Sequence, residues 1–198
     1  MKHVFKEGQS NRTLLLLHGT GGNEEDLLPL ADMIDQDANI LSVRGSVNEN
    51  GMNRFFKRHA EGVFDEEDLI ERTKELNQFL DDKSNEYGFD RNEIYAVGYS
   101  NGANIAGSML FHYNDSLKAA MLFHPMVPRR GIQLPDQQGV NVFIGAGEND
   151  PICPAQEAQD LKSLLESANV DVELFWTNMG HQLTREEVEA AKAWYQKL

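Results

Sequence analysis

Cysteine and long apolar runs are both scarce in this sequence. The single cysteine, Cys153, cannot form an internal disulfide, which excludes a disulfide-stabilised framework and suits the reducing cytoplasm. The longest aliphatic run, residues 14–17, is far too short to cross a membrane. The N-terminal residues contain no continuous apolar stretch of the kind that signal peptides have. We therefore expect a soluble, cytoplasmic protein without a membrane span.

Basic residues are also scarce relative to acidic ones. The 198 residues contain 18 Lys and Arg against 32 Asp and Glu, for a net charge of -14. This charge disfavours nucleic acid and anionic membrane surfaces as partners. The acidic residues fall mainly on presumed helix faces, where they favour a solvated surface. Because no Pro/Gly/Ser-rich linker divides the chain, we expect one domain over residues 1–198.

The sequence does contain a regular alternation of strand and helix patterns. Short apolar runs predict strands at residues 13–18, 39–43, 94–97, 119–123, 140–146 and 170–176. Helical patterns separate the predicted strands. The longest predicts an amphipathic helix over residues 65–87 that stops at Gly88. This alternation predicts an α/β fold: a doubly wound, mainly parallel sheet of about six or seven strands with helices on both faces.

Two helix starts have recognisable sequence signals. Asn23 is a plausible N-cap, and the acidic residues 24–26 would then occupy a first helical turn. Thr184 and Glu187 have the spacing of a capping box, which predicts the start of the last helix.

A G-x-S-x-G pentapeptide, residues 98–102, lies between a predicted strand and a predicted helix. Such a turn is so tight that Ser100 would adopt a strained backbone conformation with its hydroxyl clear of the sheet. Gly98 and Gly102 are needed there because a Cβ would collide with the neighbouring strand and helix. Ser100 is therefore the candidate nucleophile, the alternative being an ordinary turn.

Asp150 and His181 follow later strands, so they are expected at the same edge of the sheet as Ser100. A serine hydroxyl becomes nucleophilic when a neighbouring base removes its proton, and His181 can supply that base. Asp150 would orient the imidazole and stabilise the imidazolium. The order Ser, Asp, His is typical of α/β-hydrolases.

Alternatives exist for both partners of Ser100. Asp150-Pro151 also fits a simple helix start, and Glu148 and Asp171 are rival acids. Among the bases, His124 also follows a strand, but it precedes Asp150 in the chain and would break the expected order, which favours His181.

A tetrahedral intermediate needs two preorganised donors for its oxyanion. The backbone N–H of Asn101 is one candidate, and that of Thr20, in the glycine-rich turn over residues 18–22, is the other. We expect His18 to shape this turn as a structural residue, and Cys153 to be a structural or incidental thiol.

The segment over residues 46–62 is the least regular of the chain, and its length and aromatic content suggest a functional loop. Its two phenylalanines could pack on the core or line a pocket. The apolar candidates for binding an acyl or aryl group near the sheet edge are Met52, Phe55, Phe56, Met126, Ile152 and Met179.

Taken in order, these motifs resemble the phospholipase/carboxylesterase family of small α/β-hydrolases, which includes bacterial carboxylesterases and acyl-protein thioesterases. The resemblance covers nearly the whole chain and implies an α/β-hydrolase without a large cap domain, with Ser100, Asp150 and His181 as its triad. The chain departs from the family in two places. It has Arg-Phe-Phe at residues 54–56 where Trp-Phe-Asp is frequent, and Asn101 where glutamine is frequent.

The expected function is that of a serine carboxylesterase that cleaves small acyl or aryl esters through an acyl-enzyme, without metal or organic cofactor. Alternatives are an acyl thioesterase or lysophospholipase-like activity, and a non-catalytic ligand-binding sensor on the hydrolase fold. A dienelactone-type hydrolase would be expected to have a cysteine nucleophile, which Ser100 argues against. The expected partner is a small-molecule ester, and the assembly is left open between a monomer and a homodimer.

Overall fold

A computed structural model describes residues 1–198 as strands and helices that alternate along the chain. In chain order the elements are β1 (His3–Lys6), β2 (Thr13–Leu17), α1 (Leu28–Ile34), β3 (Asn39–Val43), β4 (Val47–Glu49), β5 (Met52–Arg54), β6 (Arg58–Ala60), β7 (Val63–Phe64), α2 (Glu66–Tyr87), β8 (Ile94–Tyr99), α3 (Asn101–His112), β9 (Ala119–Phe123), β10 (Asn141–Gly147), α4 (Ala155–Ser167), β11 (Asp171–Thr177) and α5 (Arg185–Tyr195). No helix combines the length and the apolar character needed to span a membrane.

The central sheet has seven strands in the order β1-β3-β2-β8-β9-β10-β11. Six of them are parallel, and β1 pairs antiparallel with β3 at one edge. The predicted mainly parallel α/β sheet is confirmed. Strand β1 was not predicted, because four partly exposed residues at an edge carry no apolar run.

Two apolar layers cover the sheet, one on each face. Leu15 and Leu17 of β2 belong to the cluster that packs with α2, α3 and α4, whereas Leu14 and Leu16 belong to the cluster with α1 and α5. Successive side chains of a strand point to opposite faces, so a continuous apolar run is what a strand buried on both faces requires. The predicted helices on both faces are confirmed.

Helix α1 begins later than predicted. Asn23 Oδ1 accepts a hydrogen bond from the Glu25 N–H (2.8 Å) and stabilises a turn, and the helix starts only at Leu28. Pro29 fits this later start, because its fixed φ suits a first helical turn and its missing N–H needs no acceptor there. The predicted N-cap role of Asn23 is therefore wrong.

The other predicted helix signals are confirmed. Helix α2 ends at Tyr87 and is capped by Gly88, whose φ is +76°, as predicted. The Thr184–Glu187 capping box is formed at the start of α5.

The segment over residues 46–62 forms the β4–β5 hairpin and the first strand of the β6–β7 hairpin. Both hairpins lie beside the carboxyl end of the sheet, where Asn53 O accepts from the Gly21 N–H (2.9 Å) and Arg58 and Phe64 line the same cleft as Ser100. Phe55 and Phe56 are 2% and 0% exposed and belong to the core. Phe55 packs against the ring of His18 (4.7 Å between centroids), and Phe56 packs edge-on against Phe64 (5.0 Å). Of the two alternatives for these phenylalanines, core packing is correct and the pocket role is wrong.

Candidate active site

Ser100 occupies a sharp turn between β8 and α3. Its backbone has φ +52° and ψ −114°, a conformation that non-glycine residues rarely adopt, and its N–H donates to Phe123 O (2.9 Å). A Cβ on Gly102 would lie 1.9 Å from Leu17 O, and one on Gly98 would lie 2.7 Å from Ala103 N. The predicted strained turn and its dependence on both glycines are confirmed.

The structure brings His181 and Asp150 to this turn. His181 Nε2 lies 2.8 Å from Ser100 Oγ, and His181 Nδ1 lies 2.7 Å from Asp150 Oδ2. Because Nδ1 faces a carboxylate, it carries the proton, and Nε2 is free to accept the serine hydroxyl proton. The hydroxyl of Tyr99 donates to the backbone carbonyl of His181 (2.6 Å) and holds the loop that carries the imidazole.

Asp150 is almost completely buried and fully hydrogen-bonded. Its Oδ1 accepts from the Ile152 and Cys153 N–H groups (2.8 and 2.9 Å), and its Oδ2 accepts from His181 and from His124 Nδ1 (3.0 Å). Burial on its own would raise the pKa of Asp150, but the hydrogen bonds from Cys153, His181, Ile152 and His124 hold it below the ordinary value. The carboxylate is therefore ionised at neutral pH.

The rival acid and base candidates lie elsewhere. Glu148 and Asp171 are exposed and make no hydrogen bond to His181. His124 is buried and makes no hydrogen bond to Ser100, so it is not placed to act as its base. It nevertheless contacts the same oxygen of Asp150 as His181 does, a link that the sequence did not reveal.

Thr20 and Asn101, the predicted oxyanion donors, line the same cleft as Ser100. Asn101 is the first residue of α3, so its N–H has no acceptor within the helix and lies at the positive end of the helix dipole. Arg54 Nη1 donates to Thr20 Oγ1 (2.5 Å), and the Phe55 N–H donates to Asn101 Oδ1 (2.7 Å). These bonds tie both candidate donors to the segment that follows β5.

His18 and Cys153 have the structural roles expected of them. His18 Nδ1 donates to Gly19 O (2.6 Å) while its Nε2 accepts from the Gly45 N–H (3.0 Å), and burial lowers its pKa. Cys153 is buried, its thiol donates to His124 O (3.4 Å), and burial raises its pKa, so the reactive thiolate is disfavoured.

The cleft above Ser100 encloses a volume of only about 40 Å³, and most of the residues that line it are polar. Its lining residues are Thr20, Arg54, Arg58, Glu61, Gly62, Phe64, Ser100, Asn101, Asn104, Met126, Ile152 and Cys153. Met126 and Ile152 were predicted as substrate-contacting residues and do line it.

The other four apolar candidates do not line the cleft. Phe55 and Phe56 lie in the core, where their rings pack on neighbouring aromatic side chains. Met52 is exposed on the β4–β5 hairpin beside Gly21, and Met179 is 58% exposed. Apolar character alone does not distinguish a cleft wall from the core, which is why the pocket role predicted for Phe55 and Phe56 is wrong. The substrate contacts of the exposed Met52 and Met179 stay predictions.

Two arginines form a charged wall that sequence reasoning missed. Arg54 is 3% exposed and its Nε donates to Phe56 O (3.1 Å), while Arg58 pairs with Glu49 (3.0 Å). Burial, and then the charge of Arg58, lower the pKa of Arg54 to about 10, which leaves it charged at neutral pH. The signal was present, since both arginines flank the phenylalanines of the irregular segment.

His124, Asp150 and His181 offer nitrogen and oxygen atoms within 4.8 Å of one another, a spacing that a metal site could use. Each of these atoms already has a protein partner in the array. The cluster therefore fits a hydrogen-bonding role.

Comparison with known proteins is consistent with this site. The sequence profile of the Dienelactone hydrolase family matches residues 53–197. The chain belongs to the dienelactone hydrolase family. MhqD of Bacillus subtilis (strain 168), named as a hydrolase, is 56% identical over 197 residues, which cover 100% of this chain and 98% of MhqD.

Solved structures related to this dienelactone hydrolase family member agree in fold. A Bacillus cereus carboxylesterase is 65% identical with a TM-score of 0.99, and the match covers 100% of this chain and 94% of that one. YahD, solved with malic acid, is 38% identical with a TM-score of 0.91, over 99% of this chain and 98% of YahD.

These findings confirm the expectation of an ester hydrolase on a small α/β-hydrolase fold without a large cap domain. Membership of the dienelactone hydrolase family does not by itself assign a dienelactone-type activity to this chain, which has a serine at the strand–helix turn. The inference that Ser100 argues against such an activity stays a prediction.

Proposed function

We propose that this protein is a serine carboxylesterase that cleaves small acyl or aryl esters through an acyl-enzyme intermediate. The observation that carries the proposal is the continuous hydrogen-bonded array from Ser100 Oγ through His181 to Asp150. The array ends at a serine whose strained backbone presents its hydroxyl at the N-terminus of α3.

In the first half-reaction, His181 Nε2 takes the hydroxyl proton as Ser100 Oγ attacks the ester carbonyl carbon. The oxyanion forms opposite the N–H groups of Asn101 and Thr20, which stabilise it. The intermediate collapses when His181 gives its proton to the departing alkoxide, and the acyl group stays on Ser100. Asp150 keeps the imidazole in the required tautomer and stabilises its positive charge.

The second half-reaction repeats these steps with water as the nucleophile. His181 takes one proton from the water as its oxygen attacks the acyl carbon. The same oxyanion donors act again, and the proton returns to Ser100 Oγ as the carboxylic acid leaves. No other reactant is required.

The size of the cleft supports small substrates. At about 40 Å³ of enclosed volume it is far smaller than the cavities of roughly 300 Å³ or more that hold drug-sized ligands. Met126 and Ile152 offer apolar contacts for a short acyl or aryl group. We expect p-nitrophenyl acetate to be turned over faster than either p-nitrophenyl palmitate or a lysophospholipid.

The decisive variant is Ser100→Ala, which we expect to remain folded and to lose ester turnover by a factor of about 10³ or more, since the nucleophile is absent. Hydrolysis of p-nitrophenyl acetate and labelling by a fluorophosphonate probe are the measurements. Ser108→Ala is a matched control, because this buried serine of α3 bonds to Thr73 (2.7 Å) and lies outside the array.

Three outcomes would contradict the proposal: retained turnover in Ser100→Ala, labelling that persists in that variant, or an unlabelled and inactive wild type. The last result would favour the non-catalytic ligand-binding sensor. Faster cleavage of an acetyl thioester than of the matched oxygen ester would favour the thioesterase.

We also infer that the protein acts in the cytoplasm on a small-molecule ester, without nucleic acid as partner. The single cysteine and the net charge of -14 support this inference. The whole array belongs to one chain, so the proposed chemistry operates equally in a monomer or a homodimer.

A further inference from the structure

His124 lies behind the proposed triad, with one carboxylate at each ring nitrogen. Its Nδ1 is 3.0 Å from Asp150 Oδ2, and its Nε2 is 2.9 Å from Glu187 Oε1. The side chains of His124 and Glu187 are 0% exposed, so neither can rely on water. The Nε2–Oε1 approach departs from ideal hydrogen-bond direction, but neither atom has another partner, and each therefore depends on the other.

The backbone of His124 is strained in the same way as that of Ser100. Its φ is +53°, a value uncommon for a residue with a side chain, and its N–H donates to Gly145 O (2.7 Å). Glu187 reaches the ring through space that only a glycine leaves open, since a Cβ on Gly145 would lie 2.7 Å from Glu187 Oε1. The fold thus builds a dedicated place for both side chains.

From these contacts we propose that His124 is a positioning residue for the triad, an imidazolium held between Asp150 and Glu187 that fixes Asp150 toward His181. The proposal rests on the proposed function and extends it from three residues to five. Asp150 accepts from two histidines through a single oxygen, and the rings of His124 and His181 lie 5.3 Å apart.

Charge counting supports the imidazolium. Both ring nitrogens face carboxylate oxygens, and two buried carboxylates without an intervening cation would be costly. Burial alone would lower the pKa of His124, but hydrogen bonds and charge from Glu187 and Asp150 raise it above its ordinary value. The titratable side chains that face His124 are Tyr99, Asp150, Cys153, His181 and Glu187.

A positive charge on His124 would change the protonation of His181, the proposed base. It offsets part of the negative charge of Asp150, so His181 would lose its proton at a lower pH than it would without that charge. Removing that charge should let His181 hold its proton to higher pH, which moves the acidic limb of the rate profile upward.

Two variants remove the charge and keep a donor to Asp150. In Glu187→Gln, the amide can donate to a neutral His124 Nε2 while its oxygen accepts the Thr184 N–H, which Glu187 Oε2 accepts now (2.8 Å). In His124→Asn, the side-chain amide stands near the position of Nδ1, and asparagine tolerates a positive φ.

A single charge at the 5.3 Å ring separation would shift the acidic limb by about two pH units in an effective dielectric near 20, and the opposite charge of Glu187 cancels part of this effect. We therefore expect the acidic limb of kcat/KM against pH to shift upward by on the order of one pH unit in Glu187→Gln, which loses both charges, and by up to about two in His124→Asn. We expect KM to stay within about twofold, because no substrate contact changes. The measurement is p-nitrophenyl acetate hydrolysis from pH 4.5 to 9.

Thr184→Ala is the matched control for a purely structural effect. It deletes the hydroxyl that accepts from the Glu187 N–H (3.2 Å) and donates to Glu187 Oε2 (2.9 Å), and it loosens the start of α5. It removes no charge and no partner of Oε1, the Glu187 oxygen that faces His124. This control should lower the melting temperature without moving the acidic limb. An equal shift in Thr184→Ala, or unmoved limbs in both charge variants, would overturn the proposal.

A readout independent of turnover separates this proposal from the proposed function. In ¹⁵N NMR of the histidine rings at pH 7, we expect His124 to be protonated at both nitrogens in the wild type and at one in Glu187→Gln. A singly protonated His124 in the wild type would refute the imidazolium even if the enzyme is an esterase. Conversely, ester turnover that survives Ser100→Ala would refute the esterase while leaving the NMR result interpretable.

Discussion

At the scale of single residues, Tyr99 shows how a side chain outside the triad can control it. It is the last residue of β8, directly before Ser100, and its hydroxyl donates to the carbonyl of His181 (2.6 Å). This single hydrogen bond therefore connects the strand end that precedes Ser100 to the loop that carries His181. The imidazole position depends on this bond because His181 lies in an irregular loop with no ladder to hold it.

We expect Tyr99→Phe to lower kcat by about five- to tenfold, corresponding to the loss of one hydrogen bond of about 1 kcal/mol. Steady-state kinetics with p-nitrophenyl acetate is the measurement. Tyr95→Phe is the control, since this tyrosine of the same strand bonds to Glu93 (2.8 Å), away from the site. Equal activity in the two variants would show that the Tyr99 hydroxyl does not position His181.

At the scale of elements, the N-terminus of α3 is pressed directly against the end of β2. Gly102 makes this possible, because any side chain there would overlap Leu17 O. The same close approach places Ser100 at the sheet edge and Asn101 at the positive end of the helix. Packing of one helix against one strand therefore places both the proposed nucleophile, Ser100, and a candidate oxyanion donor, Asn101.

We expect Gly102→Ala to destabilise the fold by about 3 kcal/mol or more, since the Cβ meets backbone that cannot move aside. Chemical denaturation measures the change. Gly107→Ala, on the same helix, is the control: its Cβ would meet the Pro128 ring at 3.1 Å, and the better helix propensity of alanine offsets this contact to within about 1 kcal/mol. Similar losses in both variants would argue against the helix–strand contact as the cause.

At the scale of the whole molecule, Glu24 links three separated parts of the chain. The buried carboxylate pairs with Arg44 after β3 (2.5 Å) and with Lys2 before β1 (3.2 Å), and it lies in the turn that follows β2. Burial alone would raise its pKa, but hydrogen bonds from its own backbone, Arg44 and Lys2 lower it from 4.5 to about 2. The lowered pKa means that folding favours the ionised form.

The sign of the pH dependence follows from that shift. The contribution of Glu24 is present above pH 4.5 and is lost as the pH falls towards 2. Glu24→Gln should lower the free energy of unfolding at pH 7 by on the order of 1 kcal/mol and flatten its decline between these two values. Chemical denaturation at several pH values measures the free energy of unfolding. Glu25→Gln, which changes the exposed neighbouring residue, is the control. A decline as steep in Glu24→Gln as in the wild type would contradict it.

Local patterns in the sequence were sufficient for the main elements and for the three residues of the array. Residues 14–17 had to form a strand buried on both faces, Thr184 had to begin a helix, and Gly98-Tyr-Ser-Asn-Gly102 had to form a tight turn. Because parallel strands end at one edge, the residues that follow them, Ser100, Asp150 and His181, were expected to meet. Each of these inferences depends on chemistry within a few residues or on a general rule of sheet topology.

Only the tertiary structure decided which side chains surround that array. Phe55 and Phe56 could equally have faced the cleft, and their burial depends on packing against His18 and Phe64. The pairing of His124 with Glu187, 63 positions later in the chain, has no local signature, because it arises where the end of β9 meets the start of α5. The sequence by itself determined the residues of the proposed reaction, while long-range packing decided the charges and contacts around them.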